Sequence, residues 1–284
     1  LFGGFDVALP AFKGFDTPGA TGLLFPFSFV TIACGACSGF HGLVCSGTTS
    51  KQIASEPHCR PIGYGAMLLE GLVAVIALAT LMIAGAGAAG KAPGAVYGEG
   101  LGRFLTVIIG DNQLAFATTF GAMAFSTFVF DTLDVSTRLG RYIIQEILGW
   151  RTSAGAFAGT LVTVALPVYF VIFTPAGNWV KFWTLFGASN QLLAALSLLA
   201  ITVWLHQSRR RIAYTLVPML FVLVITLWAL VKLVGANVAA SGGFDVAMVN
   251  AAASAALIVL SIYIIVRAII VVRAEQRPSL AMAE

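Results

Sequence analysis

The chain has 284 residues, 59% of them hydrophobic and only 10% charged, with a net charge of +4. A water-soluble domain carries about a quarter of its residues as charges, and several stretches here outrun the ~18 apolar residues that mark a membrane crossing. The composition therefore excludes an ordinary soluble domain and predicts an all-α, polytopic membrane helix bundle; the bilayer is the expected partner, and no nucleic-acid partner is expected.

In chain order, residues 1–22 hold two aspartates and two prolines and lack a basic stretch ahead of an apolar core. They read as an extracytoplasmic segment, not as a cleavable signal peptide. A transmembrane domain over 23–273 follows, with seven apolar segments at roughly 24–46, 62–90, 112–134, 153–174, 178–205, 212–235 and 245–272, and 274–284 form a tail. Between the second and third segments, Leu101, Phe104, Leu105 and Ile108 recur at helical spacing and predict a surface helix over about 95–109.

The first segment contains Cys34-Gly-Ala-Cys-Ser-Gly-Phe-His-Gly-Leu-Val-Cys45. Each glycine costs about 1 kcal/mol in a helix against Ala, so Gly35 to Gly39 predict a discontinuous helix near 34–40. Lipid satisfies no freed backbone group, and a break survives only where it faces protein or a water-filled cavity. Such broken helices line the substrate sites of secondary transporters, with half-helix amides meeting anionic groups. Gly35, Cys37, Ser38 and Gly39 are thus candidate ligands for a carboxylate. The competing reading is close packing, because Gly35 and Gly39 also form a GxxxG.

A metal site built from Cys34, Cys37, His41, Cys45, His58 and Cys59 is a third possibility. The CxxC lies in an apolar helix and His58–Cys59 lie in a loop between two prolines, so no metal and no cofactor is expected. Nor do the cysteines resemble a secreted disulfide framework.

Further residues stand out along the chain. His41, two residues past the break, either relays protons or is a hydrogen-bonded structural histidine. Ser46, Thr48, Thr49 and Lys51 offer hydroxyls and an ammonium for an anion or an inner gate, or else close a helix end with local bonds. Glu70 is the one carboxylate well inside an apolar run. It either carries a proton or pairs with Lys51 or Arg60. Ser126 and Thr127 put hydroxyls in mid-span, to contact substrate or to bond their own i−4 carbonyls. Asp131, Asp134 and Arg138 end that span; Asp134 and Arg138 have ion-pair spacing, as a gate or as a solvated helix end. Asn190 and Gln191 are adjacent amides inside a span and need partners there, on neighbouring helices or on substrate.

The basic residues orient the bundle. Seven spans place Lys51, Arg60, Arg138, Arg141, Arg151, Arg209, Arg210, Arg211, Arg267, Arg273 and Arg277 on one side and Lys13, Lys91, Arg103, Lys181 and Lys232 on the other. The richer side marks the cytoplasm, with the N-terminus outside and the C-terminus inside. An N-terminus outside without a signal is expected to need an upstream segment. The chain is therefore expected to be the C-terminal part of a longer protein, or to pair with a separate N-terminal half.

The strings FPFSFVTIACGACSGFH, SGTTSKQI, IGYGAMLLEGLVAVIAL, FGAMAFSTFVFDTLDVSTRLGRYIIQEIL and FWTLFGASNQLLAALSL resemble the carbon starvation protein A family over nearly the whole chain. Cys37, Cys45 and Cys59 are not part of the family pattern. The resemblance implies a bacterial inner-membrane transporter induced when carbon is scarce, taking up pyruvate with a proton or, alternatively, peptides. It further implies the second half of a five-plus-five inverted-repeat fold, in which the third span faces the substrate bundle and the missing half supplies the other broken helix. A metal- or haem-bearing redox subunit is the rival from a different class. There is no GxSxG, HExxH or P-loop string, and no enzyme activity is expected.

Overall fold

A computed structural model of the chain describes residues 4–10, 12, 14–15, 24–173, 182–243 and 245–281. Lys13 and Lys181, parts of the expected N-terminal segment and of the fifth span, and the last three residues lie outside them. The described residues are helical: α1 Phe29–Ala36, α2 Gly39–Gly47, α3 Ala66–Ala84, α4 Pro93–Ile109, α5 Leu114–Leu148, α6 Ser153–Phe173, α7 Trp183–Gln207, α8 Ala213–Ala240 and α9 Val246–Ala281. They contain seven stretches long and apolar enough to cross a membrane. Large apolar side chains stand outward, Ile108, Phe130 and Ile147 among them. That pattern suits a hydrocarbon solvent, where water does not force such groups inward.

The expected segments and the helices differ most at α5. The apolar run ends near 134, but the helix continues to Leu148 and stops at Gly149, which takes the left-handed φ of 68°. Residues 135–148 contain no proline and carry long side chains that favour helix, so polarity ends the span without ending the helix.

The chain divides into two compact units, Leu1–Lys13 with Thr48–Val164, and Gly14–Gly47 with Ala165–Glu284. In the first unit, α4 is held between α3 and α5 by glycines. A Cβ on Gly98 would meet the Ala122 amide nitrogen at 3.1 Å, and one on Gly102 would stand 2.9 Å from Thr118 Cα, both on α5. On the opposite face, Gly100 touches Thr80 of α3. Small residues let backbones approach closely enough for dispersion to hold helices together in lipid. The spacing Gly94, Gly98, Gly102 was the available signal. Through these glycines α4 packs against both neighbours. Lys91 ties down its start through both Glu99 oxygens, at 2.6 and 2.9 Å.

In the second unit α7, α8 and α9 pack together, with α1 and α2 against α7. Its core joins Val30 of α1, Ala188, Leu192 and Ala195 of α7, and Val222, Ile225, Ala229, Leu230 and Leu233 of α8. Phe29 sets its ring edge-on to Phe221, with centroids 5.5 Å apart. Through this core α7 is fixed against the broken segment.

Candidate functional site

The first span is discontinuous where expected. The helix stops at Ala36, Cys37 leaves helical geometry with φ −143° and ψ 87°, and the second half begins at Gly39. The Cys37 amide still donates to the Ala33 carbonyl at 2.8 Å, closing the first half. Ser38 caps the second: its Oγ accepts from the His41 amide at 3.3 Å, the capping arrangement that serine favours.

Two adjacent amide side chains of α7 supply further partners at the break. Asn190 Oδ1 accepts from the Phe40 amide at 2.6 Å. Its Nδ2 donates to Ser38 Oγ at 3.3 Å and to Cys34 Sγ. One carboxamide therefore bridges the end of α1 and the start of α2. Gln191 Nε2 donates to the Cys37 carbonyl at 3.0 Å. Gln191 is fully buried, and its Oε1 has no partner among the described residues. A break in lipid survives only if protein supplies such partners, and α7 supplies them here. The sequence marks both amides as needing partners, but not the element they meet.

Gly39 and Gly35 part company. A Cβ on Gly39 would fall 2.5 Å from Leu193 Cβ and 2.7 Å from the Ala194 nitrogen, whereas among the described residues a Cβ on Gly35 meets nothing within 4 Å. The close-packing reading thus holds for Gly39, which starts α2 and lets it press against α7, while Gly35 makes no such contact among the described residues. Beside the break lies an open hollow of ≈ 330 Å³, lined by Phe40, Leu43, Phe186, Asn190, Leu193 and Leu257 among others. His41 is exposed on α2, its ring 5.9 Å from that of Phe40.

The other candidates sort by element. Ser46 Oγ bonds the Leu43 carbonyl at 3.2 Å within its own helix. Ser126 and Thr127 donate to Ala122 and Met123 carbonyls at 2.9 and 3.0 Å, the i−4 pattern, from an exposed face of α5. Glu70 is exposed on α3. Asp134 and Arg138 form the expected ion pair at 2.7 Å, with Asp131 exposed beside them. Thr48 leads into a short turn, Thr49–Lys51, which carries Lys51 Nζ to 6.0 Å from the centre of the Tyr142 ring. The Arg141 guanidinium stands over the same ring at 4.9 Å. The structure thus brings the Lys51 loop to the polar end of α5 at Tyr142, with Arg141 over the same ring; sequence reasoning missed both as site residues. Their place on the face of Asp134 and Arg138, seven and eight residues on from Asp134, was the signal. Among the described residues, no group of three or more His, Cys, Asp or Glu could hold a metal ion.

Seven membrane-length helices, one of them broken and braced by buried amides, define a multi-pass membrane protein of the discontinuous-helix class. The family model described as "Carbon starvation protein CstA" matches residues 3–99 and 83–229, and the chain belongs to that family. It is 31% identical over 311 residues to the pyruvate/proton symporter BtsT of Escherichia coli (strain K12), covering 80% of this chain and 43% of that protein. It is 34% identical over 281 residues to the peptide transporter CstA of Mycobacterium tuberculosis (strain ATCC 25618 / H37Rv), covering 75% of this chain and 37% of that one. A 28% identity to the peptide transporter CstA of Bacillus subtilis (strain 168) covers 93% of this chain and 52% of that protein. The chain therefore spans about half or less of the length of these relatives. No solved structure matches it.

Proposed function

We infer that the chain is the membrane domain of a carbon-starvation-type secondary transporter in a bacterial inner membrane, moving a small carboxylate such as pyruvate with a proton. The observation that carries this reading is the broken helix at Cys37–Ser38, braced by Asn190 and Gln191. A half-helix N-terminus carries partial positive charge and oriented amides, the natural receptor for a carboxylate. In the present arrangement Asn190 Oδ1 sits on the Phe40 amide. An arriving carboxylate would share or displace that oxygen, with the backbone of Ser38 and Gly39 beside it and Gly35 easing the bend. Ser126 and Thr127 are the proposed hydroxyl contacts of the first unit.

His41 and Glu70 are the proposed proton carriers, one on α2 and one on α3. The polar end of α5, with Asp131, Asp134 and Arg138, would gate together with Thr48, Thr49 and Lys51, and Ser46 would end the α2 side. The basic residues favour a cytoplasmic C-terminus. The relatives named peptide transporters support a second reading, a peptide as cargo on the same scaffold. That reading requires a cation for the peptide carboxylate and a wider cavity.

Uptake of labelled pyruvate into liposomes under an imposed proton gradient tests this, with the chain alone and with a complementary N-terminal half. Excess unlabelled dipeptide that abolishes pyruvate uptake favours the peptide reading. No gradient-driven uptake of either compound in both preparations sinks the proposal. Unchanged uptake in Glu70→Gln removes Glu70 from proton coupling.

A further inference from the structure

Beside the proposed gate residues Arg138 and Lys51, the polar end of α5 carries Arg141 and Tyr142, to which the proposed transport cycle gives no role. Asp134, Thr137, Arg138, Arg141 and Tyr142 fall on one face of this helix, and with Thr160 of α6 they line a cavity of ≈ 250 Å³. The helix has 35 residues, a length of about 52 Å at 1.5 Å per residue. The hydrocarbon layer is about 30 Å thick. If its apolar first half sits in that layer, the cavity lies where lipid headgroups are.

The charges are unequal. Asp134 engages Arg138 at 2.7 Å. Arg141 has its guanidinium stacked over Tyr142 at 4.9 Å, and Lys51 Nζ approaches the other partner of that ring contact to 6.0 Å. Arg141 Nε is buried and lacks a hydrogen-bond partner among the described residues. An N–H buried without an acceptor is costly. The Tyr142 ring holds the guanidinium in place, and a guanidinium presents its donors in a rigid planar fork. That fork matches a tetrahedral oxyanion better than a point charge would, and Thr137 lines the same cavity.

We propose that the cavity between α5 and α6 binds a phosphate group, with Arg141 as its principal ligand and Arg138 and Lys51 as supporting cations. The phosphate comes either from the headgroup of an anionic phospholipid or from free phosphate. Basic pockets between membrane helices take up lipid headgroups by this chemistry. The site does not depend on the identity of the transported cargo.

The test uses the purified full chain, stripped of lipid in detergent at about 0.15 M salt, an ionic strength that screens loose surface attraction. Saturable binding of short-chain phosphatidylglycerol is compared with that of phosphatidylcholine, and inorganic phosphate is titrated as competitor. Phosphatidylglycerol is expected to bind at least about tenfold more tightly than phosphatidylcholine, and Arg141→Gln to remove most of that preference, with Arg141→Lys intermediate. Displacement of the lipid by millimolar phosphate assigns free phosphate as a ligand, and resistance to it assigns the lipid. Helicity and elution volume establish that Arg141→Gln folds; should it not, Tyr142→Leu, which removes the stacking ring, takes its place. Equal binding of the two lipids together with no effect of phosphate overturns the proposal. So does undiminished binding in a folded Arg141 or Tyr142 variant, or displacement by pyruvate and not by phosphate.

Discussion

Asn190 Oδ1 accepts a 2.6 Å hydrogen bond from the backbone of Phe40, 150 residues away in sequence, while the same side chain's nitrogen reaches Ser38 Oγ. One carboxamide thus bridges the two halves of a membrane helix, where local bonds close each half only by itself. The geometry makes it a structural brace, and in the proposed mechanism it is the group that a substrate carboxylate would share or displace.

Asn190→Ala leaves the Phe40 amide without its acceptor in a half-buried place. The expected loss is about 1–3 kcal/mol of stability, read as a lower thermal midpoint in detergent. Asn190→Asp keeps an acceptor for Phe40 but loses the donors to Ser38 and Cys34 and adds a negative charge at the start of α2. It is expected to keep more stability than the alanine variant and to raise the KM for a carboxylate substrate. A KM unchanged in a folded Asn190→Asp protein would argue against anion binding at this half-helix.

Gly39→Ala and Gly35→Ala should separate sharply. At Gly39 the new carbon meets Leu193 Cβ and the Ala194 backbone nitrogen, which cannot swing away. Overpacking of this kind costs about 1–3 kcal/mol. At Gly35 the space is open and the residue lies inside α1, so alanine is expected to be neutral or stabilising by up to about 1 kcal/mol. Thermal midpoints of the two variants check this, and equal effects would mean that α2 does not press on α7 through Gly39.

Asp245 starts α9 outside its membrane-length stretch, with Oδ1 accepting from the Met248 amide at 2.9 Å and Oδ2 from the Gly242 amide at 3.4 Å. The Met248 bond foremost holds its carboxyl below the ordinary value of 3.8. A folded-state pKa lower than the unfolded one stabilises the fold above the unfolded value, and that contribution fades as pH falls through the folded value. Amide protection at residues 246–249, measured against the intrinsic exchange rate at each pH, is therefore expected to fall below about pH 4. Asp245→Asn should remove that acid-dependent part; an identical pH profile in the variant would refute the assignment.

Asp134→Asn breaks an exposed i,i+4 pair. Such pairs are worth about 0.3–0.5 kcal/mol, so the thermal midpoint should barely move. A marked change in uptake rate with unchanged stability would mark the pair as a gate, and unchanged uptake would leave it as a solvated helix end.

Much of the architecture was legible because lipid imposes simple demands. Seven apolar stretches announce seven long helices, and the Gly35–Gly39 string announces the break, since neither depends on a distant residue. The length of α5 was not legible by the same rule: residues 135–148 are too polar to span yet remain good helix. At the candidate site, Cys37, Ser38, Gly39, Asn190 and Gln191 each stood out alone. Nothing in their spacing said that the two amides of α7 would meet that particular break, or that Gly35 would face open space while Gly39 carried the contact.

By itself the amino-acid order determined the solvent of this protein and where its backbone comes apart, because apolar run length and glycine content act locally. Only the tertiary structure decided which groups close the opening, which glycine bears the packing, and that Lys51 comes to the ring of Tyr142. Those outcomes depend on how separate helices pack, and hydrogen bonds between residues 150 apart leave no period in the chain to read.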